Sequence, residues 1–152
     1  MMSSRPVLAL AAAVALAITA CGGDDGDTAQ DETPTESSAS VGTVDITVVS
    51  PEEAAATIAD PPEDLVILDV RTQEEYDEGH VEGAVLLDFY RNDFADELAT
   101  FDPDVPYVLY CRSGNRSAQA REMMSDLGFT SVQDVDGGIV GWQQAGLPVV
   151  TG

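Results

Sequence analysis

The chain has 152 residues, 28 of them Asp or Glu against 6 Arg and no Lys, for a formal net charge of −22. That length holds one domain of moderate core, and so negative a surface excludes nucleic acid as a partner and repels anionic membrane surfaces. Two cysteines, Cys21 and Cys111, and a single histidine, His80, leave too few soft ligands for a zinc or iron–sulfur site.

In chain order, residues 1–20 carry one basic residue, Arg5, and an apolar run from Val7 to Ile18, ending in small residues before Cys21. The run is too short to span a bilayer comfortably and has the layout of a secretory signal. Ile18-Thr19-Ala20-Cys21 resembles the lipobox of bacterial lipoproteins. That resemblance implies that Cys21 becomes the lipidated first residue of a protein held on the extracytoplasmic side of the cell membrane; simple cleavage of the leader nearby, or its retention as an uncleaved anchor, is the alternative. Residues 21–42, rich in Asp, Glu, Gly, Ser, Thr and Pro, read as an acidic disordered tether. A bridge between Cys21 and Cys111 is not expected, because one lies on the leader and the other deep in the chain. Cys111 is therefore expected as a free thiol.

The folded domain is expected over 43–152. Val44-Asp45-Ile46-Thr47-Val48 alternates as a strand. Ser50-Pro51-Glu52-Glu53 is a helix start, with a serine cap, proline in the first turn and acids at the positive end of the dipole. Leu65 to Val70 is nearly all apolar, as in a strand covered on both faces. A short acidic helix follows from Gln73 to Glu78, then a strand Ala84 to Leu87, a short helix Phe94 to Leu98 and a strand Tyr107 to Tyr110. A helix from Arg116 to Leu127 stops at Gly128. Ser131 to Val135 is the fifth strand, and Ile139 to Ala145 the last helix. This alternation predicts an α/β domain with a mainly parallel five-stranded sheet flanked by helices, with its site outside the C-terminal strand ends. Asp69 and Cys111 fall at two of those ends.

Cys111-Arg112-Ser113-Gly114-Asn115-Arg116-Ser117 joins a buried strand to a helix, so loop amides and the helix dipole converge on the sulfur and favour thiolate. From Val105 to Arg121 there is no acid, but there are three arginines, Arg112, Arg116 and Arg121. The loop therefore reads as a positive island. His80 is far along the chain from Cys111, which makes a Cys–His hydrolase a weak reading.

Three ordered segments resemble the rhodanese family of sulfurtransferases. They are Asp69-Val70-Arg71-Thr72-Gln73-Glu74-Glu75-Tyr76-Asp77-Glu78-Gly79-His80-Val81-Glu82-Gly83-Ala84, the cysteine loop itself, and Gly137-Gly138 with Gly141-Trp142 and Gly146-Leu147-Pro148-Val149. The resemblance implies a rhodanese-like three-layer fold and no cofactor. Cys111 would take sulfane sulfur from a small anionic donor, thiosulfate or a persulfide, and pass it to a thiol or cyanide acceptor. Arg112, Ser113, Gly114, Asn115, Arg116 and Ser117 would bind the persulfide, with Arg112 and Arg116 drawing in the donor. The alternative within the family is a relay or redox-sensing module that serves a protein partner of unknown identity. Related phosphatases and arsenate reductases have five residues between cysteine and arginine; here there are four, which suits sulfur better than a tetrahedral oxyanion. Asp69 and Arg71 are expected as a supporting structural pair, Asp69 ordering loop amides and Arg71 pairing with Glu74 or Glu75. His80 is expected to pack at a helix end, Trp142 in the core, and Arg121 as a solvated helix residue. Arg91 could border the pocket.

Overall fold

The computed structural model describes residues 44–152; the expected leader, Cys21 and the tether lie outside the described residues. Strands β1 (Asp45–Val49), β2 (Val66–Asp69), β3 (Val85–Leu86), β4 (Pro106–Tyr110) and β5 (Ser131–Val135) alternate with helices α1 (Pro51–Ala59), α2 (Gln73–Glu78), α3 (Phe94–Leu98), α4 (Asn115–Asp126) and α5 (Gly138–Gln144). The five strands form one sheet in the order β1-β5-β4-β2-β3, every neighbouring pair parallel.

Alternation along β4 explains the layers. Tyr107, Leu109 and Cys111 join one buried cluster with Phe94, Leu98, Ala120 and Met124, from α3 and α4. Val108 and Tyr110 join the other with Ala54, Ile139 and Trp142, from α1 and α5. Each strand residue of β4 is thus buried on whichever face it points to, which is why the run carries no polar side chain besides the tyrosine hydroxyls. The edges are thinner. In β1 only Ile46 and Val49 turn inward, while Val44 and Val48 stay exposed. β3 has two residues rather than the expected four, because Ala84 is spent on a turn, its amide bonding to the Val81 carbonyl.

Helix ends follow local chemistry. Ser50 and Thr72 each form a reciprocal capping box, with Glu53 and Glu75. α4 ends in a Schellman motif at Gly128 (φ +87°): the Gly128 amide bonds to Ser125 O and the Phe129 amide to Met124 O. Phe129 and Met124 both enter the same core cluster, which fixes the return into β5. β2 and β4 are adjacent, and the chain leaves them toward opposite faces, Tyr76 of α2 packing on one and α4 on the other. The crevice at their C-terminal ends is the topological switch point of the sheet.

Candidate active site

Cys111 follows β4 at that switch point. Gly114 adopts φ +97°, a left-handed conformation that glycine takes without a Cβ penalty. This turns the Gly114 amide onto the Cys111 Sγ at 3.1 Å and starts α4 directly behind it. The side chain is 1% exposed. Burial pushes the thiol pKa up. Hydrogen bonds from the amide and hydroxyl of Ser117 and the amides of Ser113 and Gly114 outweigh it, and the thiol is held below its ordinary value. The Ser117 side chain, fully buried, also donates to the Gly114 carbonyl at 3.2 Å.

The last helix clamps the loop from beneath. The amide of Ile139 bonds to Cys111 O at 2.8 Å and that of Val140 to Arg112 O at 3.1 Å. The approach is possible because residue 138 is glycine: a Cβ there would lie 2.3 Å from Cys111 O and 2.8 Å from the Arg112 carbonyl carbon. The Gly-Gly pair was legible as a motif, but its contact with the cysteine loop was not.

The structure divides the three arginines of the positive island. Arg116 is forked onto Glu75, both hydrogen bonds 2.7 Å long, and its guanidinium lies 5.4 Å from the ring centre of Tyr90. The Arg116 bonds, opposed by burial and helped by the Thr72 amide, hold the Glu75 carboxyl down to about 2. Arg121 is not simply solvated; it pairs with Asp134 at 3.0 Å. Arg112 alone of the three is exposed and makes no ion pair among the described residues. Arg91 pairs with Asp93 and Glu97.

Arg71 corrects an expectation. It pairs with Asp69, not with Glu74 or Glu75: Nε to Oδ1 is 2.9 Å and Nη2 to Oδ2 is 2.6 Å. Arg71 Nη2 also donates to Gly79 O at 2.8 Å, and the Arg71 amide to Asp69 Oδ1 at 3.0 Å. The reason is that Glu75 is already engaged by its own capping box and by Arg116. The buried Asp69–Arg71 pair sits over the Tyr110 ring, 5.5 Å from its centre, and fastens the start of α2 to its end. His80 behaves as expected, stacked on Tyr76 at 3.6 Å with Nδ1 3.0 Å from Tyr76 O. Trp142 is buried in the core and donates to Pro148 O.

A cleft of about 320 Å³ opens beside the loop, between α2 and α5. Arg112 belongs to both loop and cleft, whose walls include Glu75, Glu78, Val140 and Gln143; Cys111 does not line it. Asn115 begins α4, and its carbonyl accepts from the Gln119 side chain.

The family model for the rhodanese-like domain matches residues 50–145. The chain belongs to the rhodanese-like family. This rhodanese domain is 36% identical over 95 residues to the thiosulfate sulfurtransferase GlpE of Pseudomonas entomophila, covering 62% of this chain and 83% of that protein. It is 34% identical to a sulfurtransferase of Allochromatium vinosum, covering 67% and 92%. Among solved structures it resembles a rhodanese-related protein of Thermoplasma volcanium, with a TM-score of 0.59, 29% identity and coverage of 68% and 96%. The rhodanese domain is thus an enzyme of the sulfurtransferase class, its family's three motifs meeting at one switch point. Glu75 as the partner of Arg116, Tyr90 over that pair and Asp134 behind the loop had no signal of their own, since each contact joins segments remote in the chain.

Proposed function

We propose that this sulfurtransferase uses thiosulfate or a persulfide as donor and a thiol or cyanide as acceptor, through a persulfide on Cys111. The observation that carries the reading is the cradle of Ser113, Gly114 and Ser117 amides around a sulfur whose pKa they lower. The Cys111 thiolate attacks the sulfane sulfur, and a new S–S bond forms. The donor S–S bond breaks, and its electron pair leaves on sulfite. The anionic terminal sulfur of the persulfide then lies where the amides and the α4 dipole converge. An acceptor thiolate or cyanide attacks that terminal sulfur and expels Cys111 as thiolate.

Arg112 receives the donor, being exposed and without an ion pair among the described residues; Arg116, forked on Glu75, holds the loop's shape. The same fork argues against phosphatase or arsenate reductase chemistry, which needs that guanidinium to grip an oxyanion. The test is thiosulfate-dependent thiocyanate formation, with a mass gain of one sulfur atom on Cys111. Activity undiminished in Cys111→Ser would refute the mechanism.

A relay role, with a protein persulfide as donor, is favoured by one observation, the exposure of Arg112, Ser113 and Asn115 on the cysteine loop, where a partner protein could dock. Rapid stoichiometric loading from a protein persulfide, with slow turnover of thiosulfate, would select it. The reading also includes a site of action outside the cytoplasm, on a lipid attached to Cys21. It is supported by the apolar run before Ile18-Thr19-Ala20-Cys21 and by the polar stretch after it. A mature N-terminus other than acylated Cys21 would exclude the lipid.

A further inference from the structure

Asp134 is a buried acid that the sulfur-transfer chemistry leaves unused. In the parallel register Asp134 of β5 is paired with Leu109 of β4. Paired residues point to the same face, and so do residues two apart on one strand. Asp134 therefore shares the face of Leu109 and Cys111, beneath α4. Its side chain is almost fully buried, and its Oδ2 accepts from Arg121 of α4. Its Oδ1 is buried without a hydrogen-bond partner, an arrangement that costs free energy in this state and that a state supplying a donor would relieve.

The missing donor is at hand. Ser117, fully buried on the first turn of α4, lies one helical turn before Arg121 and so on the helix face that Arg121 turns to Asp134; its hydroxyl donates to Gly114 O at 3.2 Å and favours the ionised forms of both the Cys111 thiol and the Asp134 carboxyl. A serine hydroxyl has one proton, so three acceptors compete for it. We infer that Asp134 is a positioning residue for the sulfur-loaded enzyme: its Oδ1 accepts a hydrogen bond from the Ser117 hydroxyl when Cys111 becomes a persulfide. The inference rests on the persulfide reading. Loading moves the negative charge from Sγ to the terminal sulfur, about 2 Å farther out, with no proton transferred. Sγ ceases to be a charged acceptor, and the hydroxyl turns to the carboxylate. The same displacement carries the anion away from Asp134, relieving repulsion. The other charges bearing on the pair are Arg121 and Asp136 at Asp134, and Arg116 at Cys111.

In Asp134→Asn the amide oxygen faces Arg121, which leaves an NH₂ group toward Ser117 in place of the acceptor. The protein and this variant are equilibrated at a fixed thiosulfate-to-sulfite ratio, and the persulfide fraction is read by intact mass. The loading constant falls about tenfold, the weight of one charge-assisted hydrogen bond, while the thiol, alkylated by iodoacetamide across pH, titrates lower than in the parent. A purely structural role for Asp134 would not move these two readouts in opposing senses. Equal loading constants would overturn the inference, whereas a parent protein that never loads sulfur would refute the persulfide reading instead. Should the variant not fold, structures of the parent with and without the extra sulfur decide: Ser117 Oγ comes within about 3 Å of Asp134 Oδ1 in the loaded form. A hydroxyl that stays on Sγ and Gly114 O in both forms refutes the switch.

Discussion

Gly138→Ala tests the clamp between α5 and the cysteine loop. The added Cβ would sit 2.3 Å from Cys111 O, 2.8 Å from the Arg112 carbonyl carbon and 2.9 Å from Arg112 O, all backbone atoms with no rotamer to yield. Residue 138 also has φ +56°, where an alanine costs about 1–2 kcal/mol. Restoring ordinary contact moves α5 or the loop by about 1 Å. Such a shift breaks the Ile139 and Val140 hydrogen bonds to Cys111 and Arg112, worth about 1 kcal/mol each. The sum is about 3–4 kcal/mol, a large share of the about 5–15 kcal/mol that holds a domain folded. A loop displaced by that distance lowers sulfur transfer about 100-fold. The matched control is Gly128→Ala: φ is +87°, but no atom lies within 4 Å of the new methyl group. It pays the backbone cost alone, and turnover is kept. Denaturant unfolding and thiocyanate assays on both variants decide. If Gly138→Ala matched Gly128→Ala in stability and turnover, α5 would not be what holds the loop in place.

Glu75→Gln removes the acid that Arg116 grips. A carboxyl held down to about 2 contributes stability that is full above its unfolded value near pH 4.5 and is lost as pH falls toward about 2. Acid unfolding of the parent therefore steepens in that window, and the variant lacks about 2 kcal/mol of the dependence after allowance for partial exposure. On the proposed reading that Arg112 receives the donor and takes no part in bond exchange, Arg112→Ala raises KM for thiosulfate about tenfold with kcat nearly unchanged; Arg91→Ala, an exposed arginine paired with Asp93 and Glu97 that does not line the cleft, leaves both constants as they were. Cys111 alkylation follows a thiol that ionises below the ordinary cysteine value, and Ser117→Ala moves the titration midpoint upward; an unchanged midpoint would remove the hydroxyl from the cradle.

The sheet was largely legible because β2 and β4 are apolar in both parities, and only a strand covered on two faces needs that. The cysteine loop was legible for a local reason: strand, glycine and helix follow one another without interruption. What escaped depended on long-range pairing. Glu74 and Glu75 stand equally ready for Arg71 in sequence, yet Glu75 is turned toward its own cap and toward Arg116, 41 residues on. Asp134 carries no sign in the sequence of which face of its strand it takes, and only its register against Leu109 places it inside. The positive island was counted along the chain, while its neutralisation by Glu75 and Asp134 happens across space.

That neutralisation bears on how a dianion reaches the enzyme. With Arg116 and Arg121 cancelled, Arg112 faces the approach nearly alone on a chain of net charge −22. At long range the donor is pushed away, and it is attracted only within a few ångströms of Arg112. Added salt shortens the repulsive reach to a Debye length of about 10 Å at 0.1 M and about 3 Å at 1 M. Capture of thiosulfate therefore quickens as ionic strength rises from a low value, the reverse of an enzyme that gathers its substrate by attraction from afar.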